Sequence, residues 1–323
     1  MRFWIASRVP VVSWCISAIL FPPQAPAQET LSWEDFEPCS PCDIQFRERA
    51  RVGERDGEGI IESEIARIDA GPGRGYLVHG SGSQGGVRFH WFDPEGNHLR
   101  TIGREGEGPG EFSQILGLHF KPNGSIVALD RNRRWITFND EGEVLADVRT
   151  RVYPAGHSRV LTDTTAVVAA LGSEPHNAGY PLHLVHTQTG EELKHFGRTP
   201  EAWRSRGGMD DVIILGSAPD SSDDLWWSRP RYPRFEHWSA DGQHLRTIQG
   251  SLPWLPPVED NDFPGTVIEG HAYDDGHLYI LSHHPTDDWE EVTPAVQEEG
   301  GGYTPDQFDE LYDFRLDIPS LPG

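Results

Sequence analysis

Four stretches of the chain share one plan: an apolar run, a polar turn closing on glycine, and a second run. They are RFHWFDPEGNHLRTIG from Arg88, RWITFNDEGEVLADV from Arg134, PLHLVHTQTGEELKHFG from Pro181 and RFEHWSADGQHLRTIQG from Arg234. Their turn glycines, Gly96, Gly142, Gly190 and Gly242, lie 46, 48 and 52 residues apart. Two apolar runs around a glycine turn read as an antiparallel hairpin. A repeat of this length fits a four-stranded unit and is too long for a leucine-rich or ankyrin repeat.

A second series supplies the other half of each unit: GRGYLVHGSG, NGSIVALDRN, DTTAVVAALG, DDLWWSRPRY and DGHLYILSHH. Each is a turn signal followed by an apolar run. A single sheet of this kind has two faces needing cover, so neighbouring sheets must stack on it and the ring must close to remove free edges. The fold class expected is all-β, a β-propeller of four-stranded antiparallel blades occupying residues 44–323.

The glycine-rich stretch TIGREGEGPGEF, Thr101 to Phe112, invites a phosphate-loop reading, which its spacing does not support. Gly103, Gly106, Gly108 and Gly110 match neither G-x-G-x-x-G nor a Walker loop, no Lys-Ser or Lys-Thr follows, and Glu105, Glu107 and Glu111 would repel a phosphate. Behind it comes LGLHFKPNGSIVALD, two apolar runs around an Asn-Gly turn, so the loop is expected to join strand to strand.

GREGEGPGEF followed by LGLHFKPNGSIVALDRNRRWITFNDEG resembles the NHL-type repeat and, more closely, exported bacterial six-bladed β-propeller proteins of unknown role. The likeness spans about residues 44 to 284. It is most specific from Gly103 to Gly142, with Asp130-Arg131-Asn132 standing where NHL repeats carry an Asp near an Asn; no later blade repeats the GPGEF loop. The resemblance implies six blades. Counting gives fewer: the fifth inner hairpin, near Asp275 to His284, is followed by a long insertion and by YDFRLDIPSLPG, which stops where an outer hairpin should turn. The last blade is therefore expected to be incomplete, a five-bladed or irregular ring being the alternative, and IQFRERARV is placed to lend the strand that finishes it.

Ahead of the propeller, Arg2 and Arg8 precede the apolar run Val9 to Phe21 and a small-residue site at Ala25-Pro26-Ala27. That is the pattern of a secretory signal peptide, residues 1–27, cut after Ala27. The run is too short to span a bilayer comfortably and no later one is long enough, so no membrane span is expected in the mature chain, which is placed in the periplasm or outside the cell. Residues 28–43 hold Cys39 and Cys42 in EPCSPCDI. In an oxidising compartment a small-loop disulfide is the first reading of this pair; a redox centre or half a zinc site are the alternatives.

Cleavage would take the formal charge from −24 to about −26, which argues against nucleic acid as a partner and otherwise fits a soluble acidic surface. The insertion 285–312 carries nine acidic residues and no Lys or Arg. Within it, TPDQFDELYDF has helix-start chemistry, with Thr304 as N-cap and Pro305 in the first turn. A second short helix is expected at TPEAWRS.

Motifs for chemistry are sparse. GSGSQGG misses the register of a nucleophile elbow, and no HExxH occurs. His183 and His186, three apart on a strand, face opposite ways and cannot chelate one ion as a local pair; His283 and His284 have the same problem. The acidic turns near Asp56 and Glu259 lack calcium-loop spacing. Trp226, Trp227 and Trp238 are expected to pack between blades.

Propellers gather function at one mouth of the channel, where loops enter the innermost strands. His119, His157, Glu269 and His271 precede or begin such strands in three blades and are the candidate binding residues. The function expected is that of an exported, non-catalytic binding scaffold for a protein, peptide or glycan, with no cofactor. The alternative is a metal-dependent hydrolase or lactonase holding Ca or Zn in the channel through Glu, Asn, Asp or His.

Overall fold

The computed structural model describes residues 29–33, 47–53, 59, 61, 64–71, 73–81, 86–170, 179–198, 214–216, 224–229, 232–250, 267–274, 276–286 and 312–318. Among these the ordered elements are strands, with no α-helix, so the chain is all-β. The first strand is β1 (Glu29–Ser32). A four-stranded antiparallel sheet follows in the order β2 (Glu64–Gly71), β3 (Gly75–Ser81), β4 (Phe89–Phe92), β5 (His98–Ile102). After a two-residue parallel pair, β6 (Arg104–Glu105) and β7 (Glu111–Phe112), comes β8 (Ile115–Phe120), β9 (Ile126–Asp130), β10 (Arg134–Phe138) and β11 (Val144–Arg149). The third sheet is β12 (Pro154–Val160), β13 (Thr165–Ala170), β14 (Leu182–His186) and β15 (Glu192–Phe196). The fourth is β16 (Ile214–Leu215), β17 (Leu225–Arg229), β18 (Tyr232–Trp238) and β19 (His244–Gln249), and β1 adds to its edge parallel to β19. The fifth has β20 (Val267–Asp274), β21 (His277–Pro285) and β22 (Tyr312–Asp317) among the described residues.

The repeated turn glycines sit where the period puts them, between the third and fourth strands of each four-stranded sheet, and all four adopt positive φ, from 72° to 93°. Only glycine takes that conformation freely.

Burial follows strand position. The middle strands β9, β10 and β17 are buried along their whole length, whereas β5, β11 and β15 keep exposed residues. A strand buried on both faces must be covered by two different neighbours, and its alternating side chains show which. On β9, Ile126 and Ala128 pack toward Leu77, Phe89 and Trp91 of the preceding sheet, while Val127 and Leu129 pack toward Ala166, Val168 and Val185 of the following one. On β13 and β17 the pattern repeats: Val167 and Ala169 meet Leu225 and Trp227, and Trp226 turns the other way to meet Ile268, Leu278 and Ile280. The five sheets thus stack face to face in chain order. Their first strands adjoin in the same order, β8 lying between β2 and β12, and β16 between β12 and β20.

The GPGEF loop joins β5 to β8 with no helix behind it and is fastened from the second sheet. Asp130 Oδ1 accepts from Ser113 N (3.1 Å), Ser113 Oγ (2.8 Å) and Gln114 N (3.0 Å). Arg134 donates to the carbonyls of Gly108 (2.8 Å) and Glu111 (3.1 Å) and pairs with Asp147, which raises its pKa further.

Two expectations are corrected. The described part of IQFRERARV, from Arg47, lies in no strand; the N-terminal strand is Glu29–Ser32, and it extends the fourth sheet rather than the last. Tyr312, within the stretch TPDQFDELYDF read as the start of a helix, opens β22, drawn into the ladder opposite Pro285. The leader with Ala27, Cys39 and Cys42, TPEAWRS, the acidic stretch 287–311 and the Glu259 turn lie outside the described residues.

Candidate functional site

The apolar interfaces between sheets change character at the first strands. Register extends each interface inward: Asp69 pairs with Leu77, His119 with Val127, Ser158 with Val168, Arg159 with Val167 and His271 with Ile280. Cross-strand partners share a face, so these polar side chains project into the same gaps as the core residues beside them.

In the gap between the second and third sheets, His119 stands between residues of two other sheets. Its Nε2 lies 2.9 Å from Ser158 Oγ on β12, and its Nδ1 lies 3.6 Å from Asp69 Oδ1 on β2. Asp69 Oδ2 accepts the backbone N–H of Phe120 at 2.9 Å. Gly117 makes the meeting feasible, because a β-carbon there would collide with Ser158 Oγ. From β2, Arg67 Nε donates to Leu116 O at 2.8 Å, bringing a guanidinium to the same stretch of β8.

Arg159 points into the next gap, where Nη1 donates to Gly216 O at 2.7 Å. Among the described residues this half-buried guanidinium has no other hydrogen bond and no carboxylate at ion-pair distance. Burial lowers its pKa, with Asp224 and Asp69 opposing from farther away. His271 packs against the same Gly216, where a β-carbon would strike its ring. Its Nδ1 lies 3.2 Å from Ser228 Oγ, and its buried Nε2 has no hydrogen-bond partner among the described residues. Burial is the main cause that pushes its pKa down to about 4, and the charges of His157 and Arg159 add to it. His157 is likewise lowered, first by burial and then by Arg67.

Of the four residues expected at the channel mouth, two are linked electrostatically, the charge of His157 adding to the lowering at His271. His119 belongs to the adjoining gap, tied to Asp69 and Ser158. Glu269 is exposed, with Oε1 2.7 Å from His283 Nδ1. Arg67, Asp69, Ser158 and Arg159 were not singled out by sequence reasoning. Their signal is polar residues inside runs otherwise built for burial, in RID at 67–69 and HSR at 157–159. Among the described residues no three His, Cys, Asp or Glu side chains group closely enough to hold a metal ion.

No protein-family model and no curated protein matches the chain. Among solved structures, it is similar to a candidate exported protein of Bacteroides fragilis NCTC 9343, at 9% identity and TM-score 0.48, over 92% of this chain and 99% of that one. A DUF4221-family member from Bacteroides vulgatus ATCC 8482 gives 12% and 0.47, over 69% and 73%. Chaetomium thermophilum Raptor gives 11% and 0.46, over 79% of this chain and 20% of that one. Likeness of this degree assigns no residue of this chain a role.

Proposed function

We propose that the chain is an exported β-propeller of the six-bladed, NHL-like type that binds an anionic group of a peptide, protein or glycan at its inner strands. The propeller reading is supported by sheets stacked in chain order with adjoining first strands. Export is supported by the Arg2, Arg8, Val9–Phe21 and Ala27 pattern, and a Cys39–Cys42 disulfide accords with it.

The observation that carries the ligand class is Arg159. Removing a guanidinium from water is costly unless its donors are met, and among the described residues one carbonyl answers one of five N–H groups. A carboxylate, sulfate or phosphate accepting two of them in a fork would supply the missing partner. His157, its pKa lowered first by burial and then by Arg67, adds a second donor or acceptor on the same strand. The acidic surface opposes an approaching anion, but that repulsion is screened beyond about 8 Å at physiological salt.

Isothermal titration calorimetry with citrate, a glutamate-rich peptide and an oligogalacturonide tests this reading. One of them should bind, and Arg159→Gln should weaken it about 10- to 100-fold, the range of a charge-assisted hydrogen bond. Equal binding by the variant would refute it.

A further inference from the structure

We propose that Asp69, His119 and Ser158 form a nucleophilic relay that hydrolyses carboxylic esters at the inner strands. The three residues come from three successive sheets, and their atoms meet in the order that the chemistry needs. The Asp69 carboxylate stands on the Nδ1 side of His119, the Ser158 hydroxyl on the Nε2 side. A carboxylate beside Nδ1 favours the tautomer protonated there, which leaves Nε2 free to accept the proton of Ser158.

Each member is held. Phe120 N–H fixes the other oxygen of Asp69, and Gly117 leaves the space that Ser158 Oγ occupies. His119 and Asp69 retain 17% and 29% of their side-chain exposure, so the base is sheltered yet in contact with solvent. Ser158 Oγ has no hydrogen-bond partner besides His119 among the described residues, and its lone pairs are otherwise uncommitted.

In the reaction, Ser158 Oγ attacks the ester carbonyl carbon as His119 Nε2 takes the hydroxyl proton. A cation for the charge that develops on the carbonyl oxygen is offered by Arg67, whose guanidinium is held at Leu116 O on the strand of His119. As the ester C–O bond breaks, His119 returns the proton to the leaving alcohol. Water, deprotonated by His119, then cleaves the acyl-serine, releasing the acid and restoring Ser158. Ester and water give acid and alcohol, with no other reactant. Of the esters it could take, an anionic one is expected to be preferred, a preference that rests on the binding reading above; the relay itself does not.

The test uses the mature chain with a fluorophosphonate probe and two esters, p-nitrophenyl acetate and the anionic p-nitrophenyl hemisuccinate. The expected result is label on Ser158, located by mass spectrometry, and esterase activity that falls at least 100-fold in Ser158→Ala and in His119→Gln. Asp69 acts through His119 as a positioning residue, so Asp69→Asn should lower kcat while leaving KM unchanged. Thermal melting establishes that each variant is folded, and Ser158→Cys, labelled by iodoacetamide, reports the same site if Ser158→Ala is not. A folded wild-type chain that takes no label at Ser158, and is no faster than Ser158→Ala, overturns the proposal. Label without measurable acid binding upholds the relay and removes the anion reading; acid binding without label does the reverse.

Discussion

His271 shows how a single buried side chain ties stability to pH. Its pKa, about 4 in the fold, lies below the ordinary 6.5. Between those values the unfolded chain holds the proton that the folded chain refuses, so stability is full above about pH 6.5, falls toward pH 4, and then levels. The shift corresponds to about 3 kcal/mol for this one group. His90, also pushed to about 4 by burial and by the neighbouring charges of His98, Arg88 and His79, acts in the same direction. Urea unfolding at pH 7.5 and pH 4.5 should therefore show a lower midpoint in acid, and His271→Asn should flatten part of the difference. An unchanged difference would mean that His271 is not the neutral, buried base described.

Among the strands, cost should track position. Trp135, on the middle strand β10, is wholly buried against Val127, Leu129 and Ala166, and Trp135→Ala should lose about 3–5 kcal/mol. Leu145, 60% exposed on the outer strand β11, should tolerate Leu145→Ala within about 0.5 kcal/mol. Denaturant midpoints of the two variants decide it; equal losses would mean that the sheets do not cover both faces of β10. The middle strands were legible because continuous burial leaves mostly apolar runs, IVALD and RWITF, beside glycine turns at a steady spacing. The inner strands were not. Which gap Ser158 or Arg159 enters depends on register, and β-bulges between Ile65 and Arg67 and between Pro154 and Ser158 reset the alternation. No local pattern announces such a reset. The meeting of His119 with Ser158 further required Gly117, whose lack of a side chain reads in sequence as an ordinary strand glycine.

At the scale of the molecule, each sheet is stable because its neighbours cover it, so an uncovered edge should matter to the whole chain. The N-terminal strand covers one. β1 runs parallel to β19, from Glu29 opposite Arg246 to Ser32 opposite Gln249, and Trp33 follows it onto Phe235 with ring centroids 5.4 Å apart. Parallel addition at an edge has no short-range sequence signal, since nothing in ETLS marks it above IQFRERARV; the choice is made by Trp33 reaching the core cluster of Phe235, Ile248 and Ile268. Without residues 28–33, β19 would present a row of unpaired backbone groups above newly exposed aromatic surface, the combination that recruits other chains. A chain beginning at Glu34 should keep its strand circular dichroism, melt at a lower temperature, and self-associate more than the chain beginning at Gln28 when light scattering compares them across a concentration series. The adjoining face would pass its loss to β20 and β21 through Ile268 and Leu278, while Trp135, two interfaces away, should keep its environment. Tryptophan quenching in single-tryptophan variants can follow that difference. If trimming changed neither association nor melting, the edge of β19 would need no cover, and the dependence of each sheet on its neighbours would not extend to this end of the stack.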